Sequence, residues 1–286
     1  MKVAAWQMDL VWGSAARNLA RAEEGIVKAA EAGAQWVVLP EMFATGFMMN
    51  ATRAAEPLVE TEERLSALAA RLGVGIIGGM AAAGGADDGR GVNLAQAWGP
   101  DGRHRARYEK IHPFSYAGED RHYRGGQRLV RFEAEGVRIG LFVCYDLRFP
   151  EIFRAAAESV DLVVVIANWP TRRRHAWRTL LMARAMDCQC FVLGVNRVGE
   201  GGGLEYGGDS MLVDPLGDIL AEAVGEEALV MGEVCPERVR QIRRQFPFLK
   251  DRRPAVYGRI GSSAPSQVGS GDLSSAAGED GEGGKE

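Results

Sequence analysis

Cysteine is scarce in this chain, with four in 286 residues. That is too few for a disulfide-built scaffold. Cys144, Cys188, Cys190 and Cys235 lack zinc-ligand spacing, and Cys188-Gln189-Cys190 is a C-x-C with no second pair. Reduced thiols fit a cytoplasmic setting. Histidine is equally rare: His104, His112, His122 and His175 show no metal-ligand spacing. There is no glycine-rich phosphate loop of the P-loop or dinucleotide type, so no cofactor is expected. No apolar run approaches the ~20 residues of a membrane span, and the polar residues arrive too soon after Met1 for a signal peptide. Charge of one sign is also missing, since 34 Lys and Arg face 38 Asp and Glu for a net charge of -4. Without a basic stripe interleaved with aromatics, neither nucleic acid nor a membrane surface is expected as a partner.

What is present is an ordinary globular composition, 47% hydrophobic and 25% charged. Strand and helix patterns alternate. Strands are expected at 2–8, 35–40, 73–79, 161–166 and 190–196. Helices are expected at 15–32, with Ser14 as candidate cap and Gly33 as stop, at 61–72 with Thr61 as cap, near 150–158, and at 174–187. Hairpins are expected for 92–98 with 103–109, around Glu133-Ala134-Glu135-Gly136, and for 209–214 with 218–223. Asp161-Leu162-Val163-Val164-Val165-Ile166 is nearly all apolar, as in a strand covered on both faces. Helices and hairpins together predict an α/β fold in which helices cover mixed sheets. Residues 1–260 read as one domain. From Gly261 to Glu286 the chain is rich in Gly, Ser, Ala and Glu, a composition that predicts a disordered tail.

Three apolar runs end at a candidate functional group: Leu39-Pro40-Glu41, Phe142-Val143-Cys144 and Ile166-Ala167-Asn168. Ligands in open α/β sheets bind beyond the carboxyl ends of strands. Cys144 stands between a strand and a helix start, where the next backbone N–H groups point at whatever binds. A buried structural cysteine is the competing reading. Lys110 follows another strand, in Tyr108-Glu109-Lys110-Ile111-His112. A Glu, a Lys and a Cys at strand ends can converge at one sheet edge. The carboxylate can then serve as general base for the thiol, while the ammonium favours the thiolate and holds an oxyanion. The Tyr145 amide is a candidate second oxyanion donor.

Leu39-Pro40-Glu41-Met42-Phe43, Tyr108-Glu109-Lys110-Ile111-His112 and Val143-Cys144-Tyr145-Asp146-Leu147-Arg148-Phe149-Pro150-Glu151 together resemble the three signature blocks of the nitrilase superfamily of carbon–nitrogen hydrolases, in order. The resemblance runs from residue 1 to about 260. It implies a four-layer α-β-β-α sandwich with two mixed sheets that pairs as a homodimer. It also implies Glu41 as general base, Lys110 as oxyanion-stabilising lysine and Cys144 as nucleophile, with no histidine needed. A second acid is expected shortly after the lysine. Glu119 is the best match, with Asp120 and Glu109 as rivals. Cys144-Tyr145-Asp146-Leu147-Arg148-Phe149-Pro150 is similar to the omega-amidase branch, as are Ala167-Asn168-Trp169-Pro170, Asn196-Arg197-Val198-Gly199, Gly208-Asp209-Ser210 and the stretch from Arg238 to Pro247.

The implied reaction is hydrolysis of a small linear amide by water, releasing ammonia, with the monoamide of a 2-oxo dicarboxylic acid as expected substrate. An N-carbamoyl amino acid or another aliphatic amide is the alternative, and a non-catalytic interaction module is the reading from another class. Candidate substrate-binding residues are Tyr145, Asn168, Trp169, Arg148, Phe47 and Tyr116, with Phe43 a further pocket candidate. For Arg148 a brace to Asp146 or Glu151 is the favoured reading over a carboxylate contact. Arg172, Arg173 and Arg174 are further carboxylate candidates, because cations at a helix start oppose its dipole.

Overall fold

A computed structural model of the protein describes residues 1–85 and 88–262. The expected disordered tail lies almost wholly outside them. The chain divides into two compact units, Met1–Phe246 and a second starting at Pro247. Within the second, a 3-10 turn at Phe248–Asp251 precedes a helix at Pro254–Ser262.

In chain order the first unit runs β1 (Lys2–Gln7), α1 (Ala15–Glu31), β2 (Trp36–Val38), α2 (Ala51–Ala55), α3 (Leu58–Leu72), β3 (Gly75–Ala82), β4 (Val92–Trp98) and β5 (His104–Glu109). It continues with β6 (Arg131–Ala134), β7 (Val137–Val143), α4 (Pro150–Ala156), β8 (Leu162–Ala167), α5 (Arg174–Cys188) and β9 (Phe191–Asn196). It closes with β10 (Val198–Gly201), β11 (Leu204–Val213), β12 (Ile219–Val224), β13 (Ala228–Glu233) and α6 (Pro236–Gln245).

Two mixed sheets form. One has the order β13-β1-β2-β3-β4-β5 and the other β10-β11-β9-β8-β7-β6, with β12 on β11. In the first, β1, β2 and β3 are parallel, while β13, β4 and β5 join antiparallel. In the second, β7, β8 and β9 are parallel. The sheets face each other through β1 against β9 and β4 against β7, while α1 and α3 cover one outer face and α4 and α5 serve the other. This is the expected four-layer α-β-β-α sandwich. Strands covered on both faces read as near-continuous apolar runs, and β3, β4, β8 and β9 are buried at every position.

The helices follow their apolar stripe. Along α1, Leu19, Ala22, Ile26 and Ala29 recur every three or four residues and are buried. Ser14 occupies the N-cap position, but its side chain makes no capping bond. Thr61 does not cap a helix. It is buried inside α3, which starts at Leu58 because the apolar stripe of Leu65 and Leu68 extends back a turn. The 35–40 strand shortens to Trp36–Val38, as Pro40 has no N–H to give the ladder.

Candidate active site

Each chemical side chain hangs from a strand end. Glu41 follows β2, Lys110 follows β5, Cys144 follows β7 and Asn168 follows β8. The first two belong to one sheet and the last two to the other, so the site straddles the sandwich at one end. Two of these turns are strained. Met42 has φ 43° and Cys144 φ 46°, left-handed values that a residue with a side chain adopts at a cost of about 1–3 kcal/mol. The turn at Glu41 also needs Gly79 on β3, where a Cβ would stand 2.5 Å from the Glu41 Cα.

Glu41, Lys110 and Glu119 are sealed from solvent. The Lys110 Nζ donates to Glu41 Oε1 at 3.0 Å and to Glu119 Oε2 at 2.8 Å. Asn93, on β4, donates through its Nδ2 to the same two carboxylates, at 2.7 Å and 2.8 Å. The Asn168 backbone N–H donates to Glu41 Oε2 at 2.8 Å, and its side-chain Nδ2 to the Glu41 carbonyl at 2.6 Å. Glu119 also accepts the Phe114 N–H at 2.5 Å. Of the three candidate acids, Glu119 alone joins this cluster. Glu109 pairs with Arg124 at 2.8 Å and Asp120 is exposed.

The charges set the protonation pattern. Burial opposes the Lys110 charge, but Glu119 and Glu41 outweigh it and hold the ammonium above its ordinary range. Burial pushes the Glu119 carboxyl up, and Glu41 adds to that against the pull of Lys110. Burial likewise pushes the Cys144 thiol well up, with Glu41 adding to it. Lys110 does favour the thiolate, as expected from its charge, but it does not prevail. Glu41 is within hydrogen-bonding reach of the thiol. The arrangement is a resting thiol beside a carboxylate, not a standing thiolate.

Behind Cys144 lies a further buried carboxylate. Asp146 Oδ2 accepts from the Tyr108 hydroxyl at 2.7 Å and from the Val143 N–H at 3.0 Å. Its Oδ1 accepts the His112 N–H at 3.0 Å and lies 2.9 Å from His112 Nδ1. The His112 ring stacks on Phe149 at 3.7 Å. His112 thus braces the nucleophile's turn from behind.

A cavity of about 490 Å³ opens onto Cys144, walled by Phe47, Phe114, Tyr116, Tyr145, Trp169 and Tyr206. Phe47 also sits 5.2 Å from the Lys110 Nζ. Phe43, by contrast, is a core residue packed in the first sheet's hydrophobic cluster. Asn168 lines the cavity, but its donors are spent on Glu41. Arg148 does not brace Asp146 or Glu151: Asp146 is filled by Tyr108, Val143 and His112, and the Arg148 guanidinium lies 5.0 Å from the Trp169 ring centroid instead. Arg172 and Arg173 line the cavity. Arg174 does not, being bonded to Asp209 at 2.6 Å.

Sequence reasoning missed Asn93, the link between the two carboxylates. Its signal is a polar side chain within the buried run Val92-Asn93-Leu94-Ala95, where an amide must be hydrogen-bonded to be tolerated. It also missed Asn196, which accepts the Trp169 N–H at 2.8 Å and donates to the Trp169 carbonyl at 3.0 Å.

Known proteins resemble this chain over most of its length. The chain is 38% identical over 253 residues to "Omega-amidase YafV" of Yersinia enterocolitica, covering 88% of this chain and 96% of that one. It is 32% identical over 254 residues to "2-oxoglutaramate amidase" of Bacillus subtilis, covering 88% and 97%. Among solved structures, XC1258 of Xanthomonas campestris, described as a CN-hydrolase superfamily protein with an arsenic adduct in the active site, superposes with a TM-score of 0.82 at 32% identity, over 88% of this chain and 97% of that one. A sequence model of the carbon-nitrogen hydrolase family matches residues 2–244, a span that holds every side chain of the site above. With two facing mixed sheets and a Glu, Lys and Cys at their strand ends, the chain belongs to the carbon-nitrogen hydrolase family.

Proposed function

We propose that this enzyme is an omega-amidase, a thiol hydrolase that releases ammonia from the monoamide of a 2-oxo dicarboxylic acid such as 2-oxoglutaramate or 2-oxosuccinamate. The observation that carries the reading is the sealed Glu41–Lys110–Glu119 cluster behind the Cys144 thiol, which itself lines a cavity sized for a small linear molecule. The kinship with enzymes named omega-amidase and 2-oxoglutaramate amidase supports the substrate class.

Cys144 Sγ attacks the amide carbon as Glu41 takes the thiol proton, so the thiolate forms only as the bond forms. The Lys110 ammonium and the Tyr145 amide hold the oxyanion, an interaction whose removal typically costs ~2.7–4 kcal/mol. Glu41 returns its proton to the leaving nitrogen, and ammonia departs from the thioester. Water, deprotonated by Glu41, then attacks the thioester and frees the acid, and the proton goes back to Cys144. Glu119 keeps Lys110 aimed and completes its charge balance. We further propose a cytoplasmic homodimer. Light scattering on the purified protein reads the pairing, and a monomer would contradict it.

The test measures ammonia release from 2-oxoglutaramate and 2-oxosuccinamate beside glutamine, an N-carbamoyl amino acid and a simple nitrile. Preference for the 2-oxo amides is expected, with Cys144→Ala inactive but folded. Carbon dioxide released along with ammonia would move the enzyme to the carbamoyl alternative, and an active Cys144→Ala would remove the scheme.

A further inference from the structure

The cavity is electrically polarised along its depth. Behind Cys144, which lines it, two buried carboxylates, Glu41 and Glu119, share one lysine. Its wall holds guanidinium groups. Arg173 ends a 3-10 turn at Thr171–Arg173, and its carbonyl accepts the Trp169 indole N–H at 2.9 Å, which ties its backbone to the cavity wall. Its guanidinium carbon lies 5.0 Å from the Phe114 ring centroid and 5.8 Å from that of Tyr116. Arg148, five residues into the turn that starts at Cys144, lies over Trp169 as described. Neither guanidinium has a carboxylate partner among the described residues, although most other arginines beside the site do, Arg174 and Arg178 on Asp209 and Arg124 on Glu109 among them. Burial holds the Arg173 charge down, and the like charges of Arg172 and Arg148 add to that. Two cations fixed by aromatic faces, close enough to repel and lacking a counter-ion, are arranged for an anion that arrives with the ligand.

We propose that Arg173, assisted by Arg148, is the subsite for a carboxylate at the end of the substrate opposite the scissile amide, and so selects monoanionic amides. This inference rests on the amidase reading and deepens it. The polarity fixes orientation, since a carboxylate is repelled by the buried carboxylates behind Cys144 and drawn to the guanidinium wall, leaving the neutral amide to face Cys144. It also explains how a 2-oxo acid amide is separated from the corresponding amino acid amide. The two differ by an ammonium beside the carboxylate, and an ammonium next to two guanidinium groups is repelled, while a keto group is not. Arg173 suits the task better than Arg172, which is exposed and stacks on no ring, because a planar guanidinium held on aromatic faces keeps its donor fork aimed.

The test uses Cys144→Ala protein, so that binding is read without turnover. Calorimetry compares glutaramate, which carries the carboxylate, with pentanamide, the neutral amide of equal chain length, and with glutamine. Glutaramate is expected to bind most tightly and glutamine to lose most of that advantage. Adding Arg173→Gln should weaken glutaramate relative to pentanamide by about tenfold or more, the usual value of a charge-assisted contact. Arg172→Gln should change that ratio by no more than about twofold. An unchanged ratio in Arg173→Gln, or an equal fall in Arg172→Gln, overturns the subsite, as does failure of glutaramate to bind at all. Should Arg173→Gln not fold, Arg148→Gln and Arg173→Lys read the same ratio, with a smaller fall expected. If the unmutated enzyme hydrolyses no amide yet the ratio behaves as stated, the amidase reading fails and the anion subsite stands.

Discussion

At the scale of single residues, Lys110 is the point where the site and the fold depend on each other most. Its ammonium is the only cation between two sealed carboxylates among the described residues. Lys110→Met leaves both without a charge partner in a dry environment, so a loss of about 3–5 kcal/mol is expected. Urea unfolding of the two proteins at neutral pH measures it, and a variant as stable as the parent would show that the cluster is not charged as drawn. Glu41 offers a test with the opposite flavour. Its negative charge raises the Cys144 thiol, so Glu41→Gln should lower the pH at which the thiolate forms. The pH profile of iodoacetamide labelling should shift to lower pH, while amide turnover falls by about 10²–10⁴ for want of the base. Labelling and turnover falling together, with no shift of the profile, would contradict the assigned role. The trio itself was visible in the sequence, because Glu41 and Cys144 end apolar runs and Lys110 follows the second strand of an expected hairpin. The choice of Glu119 over Asp120 and Glu109 rests on kinship there, since all three lie close to Lys110 in sequence and only contacts with Lys110 and Asn93 separate them.

At the scale of elements, β7 and β8 carry Cys144 and Asn168, and their pairing is locked at the far end by one ion pair. Arg138 Nη2 donates to Asp161 Oδ1 at 2.7 Å and Arg138 Nε to Oδ2 at 2.9 Å. Burial opposes the Asp161 charge, but the Arg138 bonds prevail and hold the carboxyl below its ordinary value of 3.8. A depressed folded-state value means a stabilisation that is present above the unfolded-state value and disappears as the pH falls through the folded one. Asp161→Asn should therefore cost stability at pH 7, and the gap between variant and parent should close towards pH 2. Urea midpoints across that range measure it, and a gap that stays constant would argue against the ion pair. Strand and helix positions were largely legible because their periods are local. Strand β13 was not foreseen. It is a partly exposed segment whose pairing with β1 joins residues more than 200 apart, such as Lys2 with Glu233. The short strand β10 escaped for a related reason, since it is a four-residue edge strand beside β11 whose Val198 also bridges to Asp9, far away in the sequence.

At the scale of the whole sandwich, the site works only if two sheets keep their relation to each other. Lys110 and Glu41 come from one, Cys144 and Asn168 from the other. Asp146 spans that gap at the back of the site, with Tyr108 of β5 and His112 on one side and Val143 of β7 on the other. Asp146→Ala strands several buried donors, each costing about 1–3 kcal/mol when unpaired, so a loss of about 3 kcal/mol or more is expected. Turnover should fall further than the folded fraction does, because Lys110 drifts from Cys144. A variant that is destabilised yet keeps full turnover per folded molecule would show that the bond network holds the fold without aligning the site. Asn168 makes the same kind of link at the front, through its two bonds to Glu41.

The sequence by itself determined the layered α/β class, the strand ends that carry Glu41, Lys110, Cys144 and Asn168, and the family. Apolar periodicity and strand-end chemistry are properties of neighbouring residues, and they survive without knowledge of the rest of the chain. Only the tertiary structure decided what those groups touch. It gave Asn168 to Glu41, Asp146 to Tyr108 and His112, Arg174 to Asp209, and it turned Arg148 and Arg173 onto aromatic faces in the cavity. It also decided that Cys144 rests as a thiol. The contacts between Lys110 and Glu41 join residues 69 apart and those between Asn168 and Glu41 residues 127 apart. A charge balance assembled over such separations is fixed by burial and geometry, and no local pattern of residues encodes it.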